Sequence, residues 1–116
     1  MSSFSDQSWY TRFGAGPPSF PAPRNNPKVL RQYRVSRREW FREAIDSLKL
    51  ELGCTDCGYN ANPEALDFDH LEDKKMAVAH GTLASWPKVL NEMAKCEIVC
   101  ANCHRIRTGQ RRDILQ

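Results

Sequence analysis

Cys54-Thr-Asp-Cys57-Gly58 and Cys100-Ala-Asn-Cys103-His104 are the stretches that decide how this chain folds. Each holds a Cys-x2-Cys turn, and 42 residues lie between the two turns. Such a turn aims two thiolates at one point, and two of them complete the tetrahedral sulfur cage that Zn²⁺ prefers. The chain has 116 residues and five cysteines, so a four-ligand site leaves Cys96 outside. In so short a chain a bound metal supplies folding energy that a small apolar core lacks. The second stretch also spells Cys-x2-Cys-His, the attachment motif of c-type haem. That use would leave Cys54 and Cys57 without a role. Dithiol redox chemistry is a further alternative, but it lacks the βαβ surroundings usual for a redox Cys-x2-Cys.

Between the knuckles, Ala65-Leu-Asp-Phe-Asp-His70 alternates as a short strand with Leu66 and Phe68 on one face. Residues 71–84 read as an excursion loop that includes His80. Ser85 and Pro87 open a helix through Val89, Leu90, Met93 and Ala94, and Glu97–Val99 is a brief strand entering the second knuckle. A last helix carries Arg105, Arg107, Arg111 and Arg112. The expected fold class is small α+β, organised by metal.

Upstream of the first knuckle, Trp40, Phe41, Ala44, Ile45, Leu48 and Leu52 recur at helical spacing and Gly53 supplies a stop. Ser36 and Glu39 have capping-box spacing, which predicts the helix start there. From Arg24 to Arg42 seven basic residues stand against Glu39 alone, a local net of +6 in a chain whose formal net charge is only +3. Such density, with Arg37 and Arg38 at its centre, suits contact with phosphates. Residues 1–27 hold five of the seven prolines together with Phe4, Trp9, Tyr10, Phe13 and Phe20. They predict a flexible arm whose rings either lie on their own domain or dock on another protein. The resulting division is an arm over 1–27, a basic amphipathic helix over 28–53 and a metal-bearing domain over 54–116. No apolar run is long enough to span a bilayer, and Met1–Trp9 lacks the pattern of a signal peptide, so a cytoplasmic location is expected.

Asp69-His70 ends a strand, and His104 directly follows a cysteine of the second knuckle. Carboxylate plus imidazole suits a divalent cation with open positions, and a neighbouring imidazole without metal serves as a general base. In combination, Cys-x2-Cys-Gly, Leu66-Asp-Phe-Asp-His70, Lys74-Lys75 and Glu92-Met-Ala-Lys-Cys-Glu-Ile-Val-Cys-Ala-Asn-Cys-His-Arg105 resemble the HNH endonucleases. The subgroup is the small zinc-stapled type of bacteriophage genomes, and the resemblance covers about residues 35–112.

The resemblance implies a ββα-metal (His-Me finger) core and a DNA endonuclease of low sequence specificity. His70 would be the general base, and Asp69 and His104 would hold one catalytic cation such as Mg²⁺ or Mn²⁺. Cys54, Cys57, Cys100 and Cys103 would hold a structural zinc. Arg37, Arg38, Lys74, Lys75, Arg105 and Arg107 are the expected DNA contacts. A phage origin would put the chain in the host cytoplasm, with the DNA-packaging terminase as a partner met through the arm. The alternative is a non-catalytic zinc-bound adaptor for DNA or protein. One element departs from the pattern: Lys95, with Cys96 beside it, stands where the family's middle asparagine orients the base histidine, and Asn91 and Asn102 are out of register.

Overall fold

Asn26-Pro27 starts the longest element, α2 (Pro27–Leu52). The Asn26 side chain accepts from the backbone N–H of Lys28 and Val29 at 3.1 and 3.4 Å, and Pro27 at the first helical position has no N–H to leave unpaired. The helix therefore begins nine residues before Ser36. The Ser36–Glu39 pattern sits mid-helix because no proline or glycine interrupts residues 28–52, and an interior serine costs only a few tenths of a kcal/mol, roughly. Gly53 ends it at φ 68°, its N–H on the carbonyl of Lys49 at 2.8 Å. The structure is a computed structural model and describes residues 8–19, 26–72, 74, 78 and 85–115.

The two halves of α2 differ. Phe41, Ala44, Ile45 and Leu48 are buried, whereas no residue from Pro27 to Trp40 is. The outer half carries Arg31, Arg34 and Arg38 into solvent together with Val29, Leu30 and Val35.

Over residues 8–19 of the expected arm, rings lie on the chain's own domain, the first of the two alternatives. Ser8–Phe13 forms a short helix, α1, and Trp9 and Phe13 are buried in the core. The Trp9 indole donates to the carbonyl of Ala44 at 2.6 Å, which satisfies the ring's only polar group where water is excluded. Trp86 meets Trp40 and Phe41 edge-on at 4.9 and 5.1 Å and lies 5.9 Å from Trp9. Gly16, at φ 97°, turns the chain beneath Trp86, where a Cβ would lie 3.1 Å from the ring. Phe4 and Phe20 lie outside the described residues.

After a single 3₁₀ turn at Pro63–Ala65, β1 (Leu66–His70) pairs antiparallel with β2 (Cys96–Cys100). The register sets Asp69 opposite Glu97 and His70 opposite Cys96. Between the strands comes α3 (Trp86–Ala94), with Ser85 at its cap position but no side-chain capping bond. The last element, α4 (Ala101–Leu115), follows β2 with no residue between them. The whole is a small α+β fold with a two-stranded sheet, and among the described residues no helix is long and apolar enough to cross a membrane.

Candidate functional site

The two knuckles have one geometry. In each, the backbone N–H of the second cysteine points to the sulfur of the first, Cys57 to Cys54 at 3.4 Å and Cys103 to Cys100 at 3.5 Å. Gly58 at φ 82° closes the first turn, its N–H on the Cys54 carbonyl, and Thr55 N–H ties that turn to Ile98 of β2 at 2.7 Å. The four sulfurs lie within 4.8 Å of one another, and Cys57 and Cys100 stand 3.7 Å apart. A tetrahedron with Zn–S bonds of about 2.3 Å has sulfur–sulfur edges of about 3.8 Å, so the donor set fits such an ion.

Its electrostatics agree. Burial would raise the Cys54 thiol, but backbone donors at Cys100, Cys57 and Asp56 bring it down to about 6. Cys57 is lowered by a backbone donor at Tyr59, but the thiols of Cys54 and Cys100 outweigh this and raise it. Cys103 is raised chiefly by its contact with Cys100. One sulfur ionises readily and its neighbours resist, so a full set of thiolates calls for a cation among them. Cys96 stands outside: burial pushes its thiol up to about 12, and it donates to the carbonyl of Glu92 at 3.2 Å.

The second cluster lies between β1 and α4. Strand alternation puts Asp67 and Asp69 on one face, and α4 presents His104, Arg107 and Arg111 to them at helical spacing. His104 Nδ1 is 3.0 Å from Asp67 Oδ2, and its Nε2 is 3.6 Å from Asp69 Oδ1. Asp69 and His104 thus come together as the sequence predicts, but Asp69 is not open. Arg111 donates to both of its oxygens at 2.8 and 2.7 Å, and Arg107 adds a third bond at 2.8 Å. Arg111 is the chief cause holding this carboxyl down at about 2, although its side chain is only 3% exposed and burial opposes the charge.

Arg107, one of the expected DNA contacts, is engaged within the protein. It holds Asp56 through two bonds of 2.7 Å, and Asp69 and Glu97 at 2.8 and 3.0 Å, with its side chain 15% exposed. Asp56 is first among the causes that raise its pKa. Beside this cluster opens a cleft of about 500 Å³, lined by Asp67, His104, Arg105, Thr108 and Arg112.

His70 meets a third element through its Nε2. Its Nε2 lies 3.2 Å from Oε2 of Glu92 on α3, whose carboxylate is buried and also takes Lys95 Nζ at 2.7 Å on Oε1. Among the described residues His70 shares no hydrogen bond or ion pair with Asp69 or His104. Glu92 escaped the sequence reading, although a signal was present: it shares the buried stripe of α3 with Val89 and Met93, where an acid needs a partner. The role of Arg111 also had a signal, since residues 104, 107 and 111 share one helical face.

Of the expected DNA contacts, Arg38, Lys74 and Arg105 are exposed, while Arg37 lies over the Phe41 ring at 4.4 Å. Lys75 and His80 lie outside the described residues. Comparison with protein-family models, with curated proteins and with solved structures finds no match to the chain.

Proposed function

We propose that this chain is a metal-dependent DNA endonuclease of HNH type, stapled by zinc on Cys54, Cys57, Cys100 and Cys103. The observation that carries the reading is the pairing of Asp69 and His104, 3.6 Å apart and beside a cleft flanked by Arg105 and Arg112. Two oxygen or nitrogen ligands at right angles on one Mg²⁺ are about 3 Å apart, so this pair is close to ligand spacing. Asp67 holds Nδ1 of His104 and leaves Nε2 toward Asp69, the orientation a ligand imidazole needs.

A divalent cation there, Mg²⁺ or Mn²⁺, would stabilise the charge on the scissile phosphate and the departing oxygen. His70 takes a proton from the attacking water. The water oxygen bonds to phosphorus, the bond from phosphorus to the 3′ oxygen breaks, and that oxygen gains a proton. The products are a 5′-phosphate and a 3′-hydroxyl. Arg105, Arg112, Arg38 and Lys74 hold phosphates, contacts that are salt-sensitive and indifferent to sequence.

The test is nicking of supercoiled plasmid with Mg²⁺, Mn²⁺, Ni²⁺ or EDTA. Wild type cuts with metal only, and His70→Ala loses about a hundred-fold to ten-thousand-fold in rate with DNA affinity retained. Unchanged cutting by the variant would remove His70 from the role of base.

The capture of Asp69 by Arg111 and Arg107 favours one second reading, a non-catalytic adaptor that binds DNA or protein. Absence of cutting with every metal, from folded and zinc-loaded protein, would put this reading, or a nuclease silent without its partner, ahead of the first. Attachment to a terminase would fall to what α1 leaves outside the core, where Tyr10 is exposed.

A further inference from the structure

We infer that Glu92 is the positioning residue of His70: its buried carboxylate fixes the imidazole with the proton on Nε2 and leaves Nδ1 as the basic atom. The second half of this statement, the use of that basic atom in hydrolysis, rests on the nuclease reading above.

An ionised carboxylate only accepts, so the nitrogen 3.2 Å from Oε2 must be the one that donates. A neutral imidazole has one N–H, and placing it on Nε2 strips Nδ1 of its proton. Glu92 is 3% exposed and sits among apolar neighbours, where an unpaired acid would take up a proton and lose its grip as an acceptor. Lys95 opposes that: its ammonium lies 2.7 Å from Oε1, while the imidazole lies on Oε2.

The surrounding backbone holds the pair. Lys95 N–H closes the end of α3 on the Glu92 carbonyl at 3.1 Å. The Lys95 carbonyl takes the N–H of Leu71 at 2.8 Å, one residue past His70. Glu92, Lys95 and His70 therefore move as one corner. Lys95 is the residue that replaces the asparagine of the resembling family. In this chain the cation at that position bonds a carboxylate one turn earlier, and that carboxylate contacts the imidazole.

The experiment uses the full-length, zinc-loaded chain labelled with ¹⁵N. Long-range proton–nitrogen correlation spectra distinguish the two neutral tautomers of each ring, and His70→Ala identifies the signals of His70. The expected result is the Nε2–H tautomer for wild type and for Glu92→Gln, whose amide oxygen still accepts, and a mixture for Glu92→Leu. A wild-type ring protonated on Nδ1, or an unchanged tautomer in Glu92→Leu, would overturn the assignment. Plasmid nicking supplies the second readout: Glu92→Leu lowers kcat by about ten-fold to a hundred-fold at unchanged KM for DNA, and Glu92→Gln recovers most of it. Equal kcat in all three proteins would refute a positioning role. If wild type cuts nothing while the tautomers follow the pattern, the nuclease reading fails and the Glu92–His70 pair stands.

Discussion

The four-cysteine cluster and the Asp69 cluster share the first knuckle, β2 and α4, yet they handle closely packed like groups in opposite ways. The cysteines come from two turns whose local backbone aims the sulfurs at one another. Asp67, Asp69, Asp56 and Glu97 come from two strands and a turn, and Arg107 and Arg111 of a single helix supply opposing charge. The first cluster offers four close sulfurs that could hold a metal ion, whereas Asp69 in the second is already held by two guanidinium groups. A metal at the second would have to compete with the protein's own cations.

The largest expected effect falls on the first cluster. Stripping the metal with a strong chelator, or Cys100→Ser, is expected to unfold the chain, since structural zinc supplies on the order of 10 kcal/mol. Circular dichroism with and without chelator checks it, and native helix content in the stripped protein would break the comparison.

A smaller effect belongs to the second cluster and appears in acid. The Asp69 carboxyl, at about 2 in the folded chain, lies below its unfolded value of about 3.9. Its contribution is therefore complete at neutral pH and is lost as pH falls from about 4 toward 2, a change on the order of 2 kcal/mol. Urea melts between pH 2 and pH 6 measure it, and Arg111→Gln should flatten that acid limb.

The smallest concerns turn geometry alone. Gly58 has nothing within 4 Å of a would-be Cβ, so Gly58→Ala introduces only the strain of its positive φ, about 1 to 2 kcal/mol. A loss several times larger would mean that the knuckle tolerates no adjustment around its metal.

What the sequence makes legible follows the same division. The Cys-x2-Cys turns, both strands and the buried stripe of α2 are local patterns, and the structure has them where the periodicity and spacing put them. The true start of α2 was hidden because Ser36–Glu39 satisfies a capping motif that the helix, already begun at Asn26, does not use. Six residues of α1 are too few to show a period, and the prolines after them read as linker. Asp69 was legible as a residue but not in its surroundings. Its partners are 38 and 42 residues away, and only the docking of α4 on the sheet sets them beside it. Glu92 reaches His70 across 22 residues, through a helix whose angle to the sheet no local pattern encodes.

Because α4 begins at the residue after Cys100, the helix is a beam fixed at its start, and Arg107 pins it a second time to Asp56, Asp69 and Glu97. A beam held at two points resists tilting far better than one held at its end. At about 1.5 Å of rise per residue, Arg111 lies only about 6 Å past the second pin. A tilt of about 10° there would carry Arg111 through about 1 Å. The second pin thus shortens the free arm that bears the guanidinium on Asp69.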